Sequence, residues 1–238
     1  MKVLSIGNSF SQDAQRYFAE IAREFDPDVK AVNLYIGGCS LVRHYNNIIN
    51  DLNEYTLEEN GVSTGMLTSI KFALLSDDWD VVTLQEVSTR STNVRNFDPY
   101  ISFIAKYVRE LCPKAKIALH ETWGYESNTH SIKNQGYFAH SEMFKDIENA
   151  YISASKLVNA DIVLHSGRVL KLLDDQGIAV HRDGVHASRG IGRYALALVW
   201  VRSLYGVKIN RSEFNGFDEP ISDEDCATVK AIVDGLAI

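Results

Sequence analysis

The feature that most constrains the fold is a regular alternation between short apolar runs and longer amphipathic segments. Five runs have the length and composition of buried strands, and they read KVLSI (2–6), VKAVNLYI (29–36), WDVVTLQ (79–85), AKIALHETW (115–123) and ADIVLH (160–165). Helical periodicity occupies most of the intervals between them. Strands that alternate with helices build a parallel sheet with helices on both faces. The sequence therefore predicts an α/β fold, a three-layer α/β/α sandwich around a mainly parallel five-stranded sheet.

The segments between the strands differ in how strongly they predict helix. The apolar spacing predicts helices over 10–25, 66–78, 100–112, 141–158, 167–175, 190–206 and about 223–236, and a partly helical segment over 40–52. The polar stretch 54–65 is typical of a small hairpin, and 124–138 is typical of a long loop. No repeat and no flexible linker divides the chain. We therefore expect one domain spanning residues 1–238.

Composition narrows the range of partners. The net charge is −7, and no basic run appears, which argues against nucleic acid or an anionic membrane as the main partner. The three cysteines are scattered, so neither a disulfide framework nor a zinc knuckle is indicated, and Cys39 is expected to be a small buried residue. No leader or membrane span is visible. The sequence as it stands predicts a cytoplasmic protein, or a secreted or periplasmic one if a leader was removed.

The stretch GNSFS, residues 7–11, follows the first strand and has two interpretations. In the first, Ser9 caps the following helix and Gln12 reaches back to it as a capping box. In the second, Ser9 is a nucleophile at a strand-to-helix turn. A serine becomes nucleophilic only when a neighbouring base takes its proton. The choice therefore depends on whether the chain also supplies a base.

The turn DGVH, residues 183–186, supplies such a base together with its partner. A histidine titrates near neutrality and serves as a base when a carboxylate fixes its tautomer. Asp183 and His186 are three positions apart, so a compact turn brings their side chains together. Active groups of an open α/β sheet gather beyond the carboxyl ends of its strands. This rule also selects Gly38 and Gln85, which follow the second and third predicted strands. The predicted oxyanion donors are the backbone N–H groups of Ser9 and Gly38 and the side-chain amide of Gln85.

The motifs in this order resemble those of the SGNH, or GDSL-like, hydrolases, from residue 4 to about 205. IGNSFS resembles the serine motif, YIGGCSL the glycine motif, and DGVHAS the terminal D-x-x-H motif. The resemblance implies sheet order 2-1-3-4-5, ester hydrolysis by a Ser9–His186–Asp183 triad, and no cofactor or metal. Two positions depart from the family pattern: Asn8 replaces an aspartate, and LQEVS places Gln85 where an asparagine amide is expected.

The substrate is predicted less directly. The motif ETWGY contains Trp123 and Tyr125, whose rings either stack on a sugar or pack beneath the adjoining loop. With Asn8 and Glu86 they form the predicted substrate-binding set. We expect a small-molecule or glycan ester, most simply a short acetyl ester on a carbohydrate.

Several alternatives remain open from the sequence. They are a lipase or thioesterase of the same fold, a degenerate member that binds glycans without turnover, and a zinc site at His181, Asp183 and His186. The absence of both G-x-G-x-x-G and a P-loop argues against nucleotide binding. The sequence predicts no oligomeric state.

Overall fold

The structure, a computed structural model, describes residues 1–237. Its strands form one seven-stranded sheet in the order β4-β3-β2-β1-β5-β6-β7. The strands are β1 (Lys2–Gly7), β2 (Lys30–Tyr35), β3 (Tyr55–Glu59), β4 (Val62–Thr68), β5 (Val81–Leu84), β6 (Lys116–His120) and β7 (Ile162–Leu164). The five strands β2-β1-β5-β6-β7 are mutually parallel, and in chain order they run 2-1-3-4-5. The predicted sheet is therefore confirmed.

Two further strands extend this sheet beyond the five that were predicted. The stretch predicted as a small hairpin forms β3 and β4, and β3 pairs antiparallel with β2. Residues 66–68 belong to β4, although the sequence predicted helix there. The helix begins only at Ile70 because the Ser69 side chain caps it, accepting a hydrogen bond from the Phe72 N–H at 3.2 Å.

The helices cover the sheet on both faces. They are α1 (Ser9–Gln15), α2 (Phe18–Ala22), α3 (Leu41–Ile49), α4 (Ile70–Leu75), α5 (Tyr100–Leu111), α6 (His130–Asn134), α7 (His140–Val158), α8 (Ser166–Asp174), α9 (Ile191–Tyr205) and α10 (Asp223–Gly235). One group packs around α9 and comprises α1, α2, α8 and α10, whereas α3, α4 and α7 pack against α5. None of the helices within residues 1–237 is long and apolar enough to cross a membrane.

Two helix predictions need correction. The segment 10–25 contains two helices, which are separated by a turn at Arg16 and Tyr17. At this turn the Tyr17 hydroxyl donates to the Arg189 carbonyl and accepts the Asp218 N–H. The predicted loop 124–138 contains the short helix α6, which Thr129 caps. Both differences involve polar contacts that periodicity does not encode. They matter here because α1 carries Ser9 and the loop adjoins the turn at 183–186.

Candidate active site

The N-terminus of α1 fixes the position of Ser9. Asn8 is the N-cap: its Oδ1 accepts a hydrogen bond from the Phe10 N–H at 3.0 Å, and the Asn8 N–H donates to Ser11 Oγ at 3.1 Å. The predicted capping box of Ser9 and Gln12 is therefore wrong, since Asn8 and Ser11 perform that role. Ser9 is instead the first helical residue, and its side chain is left for other contacts.

The turn after residue 180 brings a histidine and a carboxylate to Ser9. His186 Nε2 lies 2.9 Å from Ser9 Oγ, and His186 Nδ1 lies 2.8 Å from Asp183 Oδ2. Because the carboxylate can only accept, His186 Nδ1 carries the proton and Nε2 presents its lone pair to the serine hydroxyl. The geometry is that of a nucleophile, a base and an orienting carboxylate linked in series.

Asp183 also holds its own turn in shape. Its Oδ1 accepts the N–H groups of Val185 at 3.0 Å and His186 at 2.8 Å. Partial burial pushes the pKa of Asp183 upward, but the hydrogen bonds from the backbone and ring of His186 outweigh this effect and leave the pKa below its usual value. Asp183 is therefore ionised at neutral pH, as an orienting partner of histidine must be.

Two backbone N–H groups are predicted oxyanion donors, that of Ser9 and that of Gly38, which lies on the loop bonded to Asn8 through the Cys39 carbonyl. Within residues 1–237, neither the Ser9 N–H nor the Gly38 N–H has a protein acceptor. The first lies at the N-terminus of α1, where the helix leaves its donors unpaired. Gly38 has φ +60°, a conformation that glycine adopts readily, and Gly37 and Gly38 are both exposed. The role of these two N–H groups as oxyanion donors stays a prediction.

Gln85 is buried and bonds to two other side chains. It is 1% exposed, its Nε2 donates to Asn8 Oδ1 at 2.8 Å, and its Oε1 is 2.7 Å from His120 Nδ1. Burial lowers the pKa of His120 to about 3, so the ring is neutral and Nδ1 donates. Both ends of the amide are thus engaged inside the protein. Gln85 therefore supports Asn8 with one N–H of its amide, and the use of the second N–H as an oxyanion donor stays a prediction.

The predicted substrate contacts of Asn8 and Glu86 also need correction, because both side chains are buried. Besides its capping bond, Asn8 donates from Nδ2 to the Cys39 carbonyl at 3.0 Å. Glu86 Oε1 accepts the N–H of Leu41 at 3.0 Å and that of Val87 at 2.7 Å. These bonds join the ends of β1 and β5 to the loop that carries Gly38. Their role in the structure is to shape that loop.

Trp123 and Tyr125 pack beneath the surface and present no ring to solvent. Trp123 stacks on Phe10 with ring centroids 3.7 Å apart, and its Nε1 donates to the Val185 carbonyl at 2.9 Å. The Tyr125 hydroxyl lies 2.7 Å from Ser88 Oγ. Of the two interpretations of these rings, the packing one describes this structure. Trp123 supports the turn that carries His186 and touches the residue next to Ser9.

The zinc site that the sequence left open finds no support in the geometry. His181 Nε2 lies 2.9 Å from the Gly124 carbonyl, which engages that nitrogen. Among residues 1–237, no group of three or more histidine, cysteine or carboxylate side chains is arranged to hold a metal ion. Cys39 is buried, and burial raises the pKa of its thiol to about 12, so it is not a competing nucleophile.

Two further residues bear on this site, and the sequence did not predict them. Arg182 and Asp13 form an ion pair with both N···O distances at 2.9 Å, and it joins the turn to α1. Asp13 lies four positions after Ser9, and Arg182 directly precedes Asp183. Their proximity to the motifs was the only signal in the sequence, because a partner 169 residues away leaves no local pattern.

Solved structures of known class share this architecture. A candidate SGNH hydrolase from Slackia heliotrinireducens superposes with a TM-score of 0.62 at 19% identity, covering 86% of this chain and 98% of that chain. An acetyl xylan esterase superposes with a TM-score of 0.56 at 16% identity, covering 84% and 98%. The five parallel strands in order 2-1-3-4-5, with the serine after the first of them, therefore define an SGNH-like, or GDSL-like, hydrolase fold.

A closer relationship is found within that class. A DUF4886 family protein from Bacteroides uniformis superposes with a TM-score of 0.89 at 29% identity, covering 98% of this chain and 93% of that chain. The family model DUF4886, described as a domain of unknown function, matches residues 2–231. The chain belongs to the DUF4886 family. A comparison with curated protein sequences returned no match.

Proposed function

We propose that this protein is a serine ester hydrolase with Ser9 as nucleophile, His186 as general base and acid, and Asp183 as the orienting carboxylate. The observation that carries the proposal is the uninterrupted hydrogen-bond series from Ser9 Oγ through the His186 ring to Asp183. A serine at a helix N-terminus needs no such partner for structural reasons, because Asn8 already caps the helix. The series is what serine activation requires.

The proposed reaction proceeds through an acyl-enzyme. Ser9 Oγ attacks the ester carbonyl carbon while His186 Nε2 takes the hydroxyl proton, and the N–H groups of Ser9 and Gly38 stabilise the oxyanion. The intermediate collapses, the C–O bond to the alcohol breaks, and His186 gives its proton to the leaving alkoxide. Water then attacks the acyl-enzyme with His186 again as base, which releases the carboxylate and restores Ser9.

For the substrate we propose a short acyl group, with acetate on a carbohydrate as the working case. Ser9 is partly exposed, and Gly37, Gly38 and Asp183 are exposed, which leaves room for a bulky alcohol. The carbohydrate part now rests on the likeness in fold to an acetyl xylan esterase, because Trp123 and Tyr125 are buried. It is therefore the part of the proposal that the experiment should probe first.

The test is hydrolysis of p-nitrophenyl esters from acetate to palmitate, followed by acetylated oligosaccharides, with wild type and Ser9→Ala. We expect turnover to be highest with acetate and to disappear in Ser9→Ala. The melting temperature should stay within about 2 °C, because the substituted residue is not the cap. Retained activity in the variant would exclude Ser9 as the nucleophile. A preference for palmitate would favour a lipase or thioesterase, and glycan binding without turnover would favour a degenerate member of the fold.

A further inference from the structure

The turn that carries Asp183 and His186 is fastened to the helix that carries Ser9 by one buried ion-pair network. Asp13, on α1, is fully buried, and Arg182 Nη1 lies 2.9 Å from each of its carboxylate oxygens. Arg193, at the start of α9, donates to the same carboxylate from Nε at 2.8 Å. A buried carboxylate with two guanidinium partners has its charge compensated from two elements at once.

Arg182 also holds its own turn closed. Its Nη1 donates to the Ala187 carbonyl, and its backbone N–H donates to the His186 carbonyl at 3.0 Å. The guanidinium therefore contacts the end of the turn and the nucleophile's helix together. Ser9 and Asp13 are one helical turn apart on α1. Because Arg182 belongs to the turn that carries His186, movement of Arg182 relative to Asp13 changes the distance between Ser9 and His186.

We propose that Arg182 is a positioning residue that aligns the Asp183–His186 pair on Ser9 by clamping the turn to Asp13. The inference rests on the proposed function, because it assigns a role within that same site. Arg182 does not need to touch the substrate for this role. It acts through the placement of the His186 ring, which has to stay within hydrogen-bond distance of Ser9 Oγ for proton transfer.

The chain offers a matched control at the outer end of the same network. Arg16 pairs with Asp218 at 2.6 Å, and Asp218 also receives Arg193, so this pair belongs to the network but does not reach the turn. The Arg16 and Arg182 side chains are similarly exposed, at 29% and 21%. Arg16→Ala therefore removes a comparable arginine without releasing the turn.

The test compares Arg182→Ala, Arg182→Lys and Arg16→Ala in steady-state ester hydrolysis. We expect Arg182→Ala to lower kcat roughly 10–100-fold with KM within about threefold, since misplacement of a catalytic group affects the chemical step. Guanidinium ion at low millimolar concentration should restore part of the lost kcat in Arg182→Ala and leave Arg16→Ala unchanged. Arg182→Lys, which keeps the charge but not the planar fork, should be intermediate. Equal losses in both alanine variants, or no rescue, would overturn the proposal.

A second readout separates this proposal from the proposed function. The low-field proton NMR signal of His186 Nδ1–H, bonded to Asp183, reports alignment without any turnover. We expect it in wild type and Arg16→Ala, broadened or shifted in Arg182→Ala, and recovered with guanidinium. An unchanged signal in Arg182→Ala would overturn the positioning role even if wild type hydrolyses no ester. If Arg182→Ala does not fold, an unchanged kcat and NMR signal in Arg182→Lys would overturn it instead.

Discussion

The site consists of two layers that differ in their exposure to solvent. The reactive layer, Ser9, Asp183 and His186, is partly open to solvent, and the His186 and Asp183 side chains are 29% and 48% exposed. The support layer beneath it is defined by buried residues that bond to one another and to the backbone. Its members are Asn8, Gln85, Glu86, His120 and Trp123.

This difference separates the expected effects of substitution. In the reactive layer the hydrogen bonds join side chains that water can also reach, so removing one costs little folding free energy. In the support layer a removed partner leaves a buried polar atom unpaired, which is costly to stability. Substitutions in the reactive layer should therefore change kcat, whereas substitutions in the support layer should first change the free energy of unfolding.

The largest effect on turnover short of removing the nucleophile is expected from Asp183→Asn. The asparagine Oδ1 can still accept the N–H groups of Val185 and His186, so the turn keeps its shape. The neutral amide no longer stabilises a charged His186 or fixes its tautomer, and kcat should fall by roughly 10³–10⁴. Steady-state kinetics and thermal melting measure the two effects. A loss below about tenfold would break the assignment of Asp183 to the reactive layer.

Gln85→Ala should show a smaller loss of turnover and a clear loss of stability. It leaves Asn8 Oδ1 and the His120 Nδ1–H without their buried partner, at a cost of about 1–3 kcal/mol of unfolding free energy. We expect kcat to fall less than about tenfold, because the caps around Ser9 persist. An oxyanion donor would give the opposite pattern, a loss of 10²–10³ in kcat with unchanged stability.

The control for Gln85 is His120→Leu, which removes the other partner of the same amide without approaching Ser9. It should reproduce the stability loss, measured by urea unfolding, with kcat close to that of wild type. If Gln85→Ala loses far more kcat than His120→Leu at equal stability, the amide acts on the reaction and belongs to the reactive layer. Comparing kcat and unfolding free energy of the two variants therefore shows to which layer Gln85 belongs.

The sequence predicted the reactive layer better than the support layer, for physical reasons. Apolar runs identify parallel strands, and their order places Ser9 at the carboxyl edge. The D-x-x-H spacing is local, so the contact of Asp183 with His186 could be anticipated. The bond from Gln85 to Asn8 joins residues 77 positions apart, and nothing in either segment reveals its direction.

The burial of polar and aromatic residues was the other property that the sequence did not predict. Trp123 suits a sugar platform and a packed core equally well as a residue type, and only its stacking on Phe10 decides between them. The helix cap was assigned one residue too late because Asn8 and Ser9 are both good capping residues. The hairpin of β3 and β4 was predicted, but its antiparallel pairing with β2 was not, because β4 is mostly exposed and does not look like a buried strand.

The last prediction concerns how acid weakens the buried part of the protein. Burial lowers the pKa values of His44, His120 and His140 to about 3, so these rings are neutral in the folded protein. Unfolded histidines titrate near 6.5, so between pH 6.5 and 3 the unfolded state binds more protons and stability falls as pH falls. Urea unfolding from pH 7 to pH 4.5 should therefore show uptake of up to about three protons from these histidines.

The variant His140→Leu tests this prediction for a single histidine. Within residues 1–237 neither ring nitrogen of His140 has a hydrogen-bond partner. The variant loses no hydrogen bond, so its stability at pH 7 should stay within about 1 kcal/mol of wild type. Its proton uptake on unfolding should fall by about one, because one suppressed titration is gone. His120→Leu removes the same titration but also the bond to Gln85, so it should share the smaller pH slope while being less stable at pH 7. An unchanged slope in His140→Leu would mean that His140 is protonated in the folded protein, and the packing that keeps this ring neutral would have to be reconsidered.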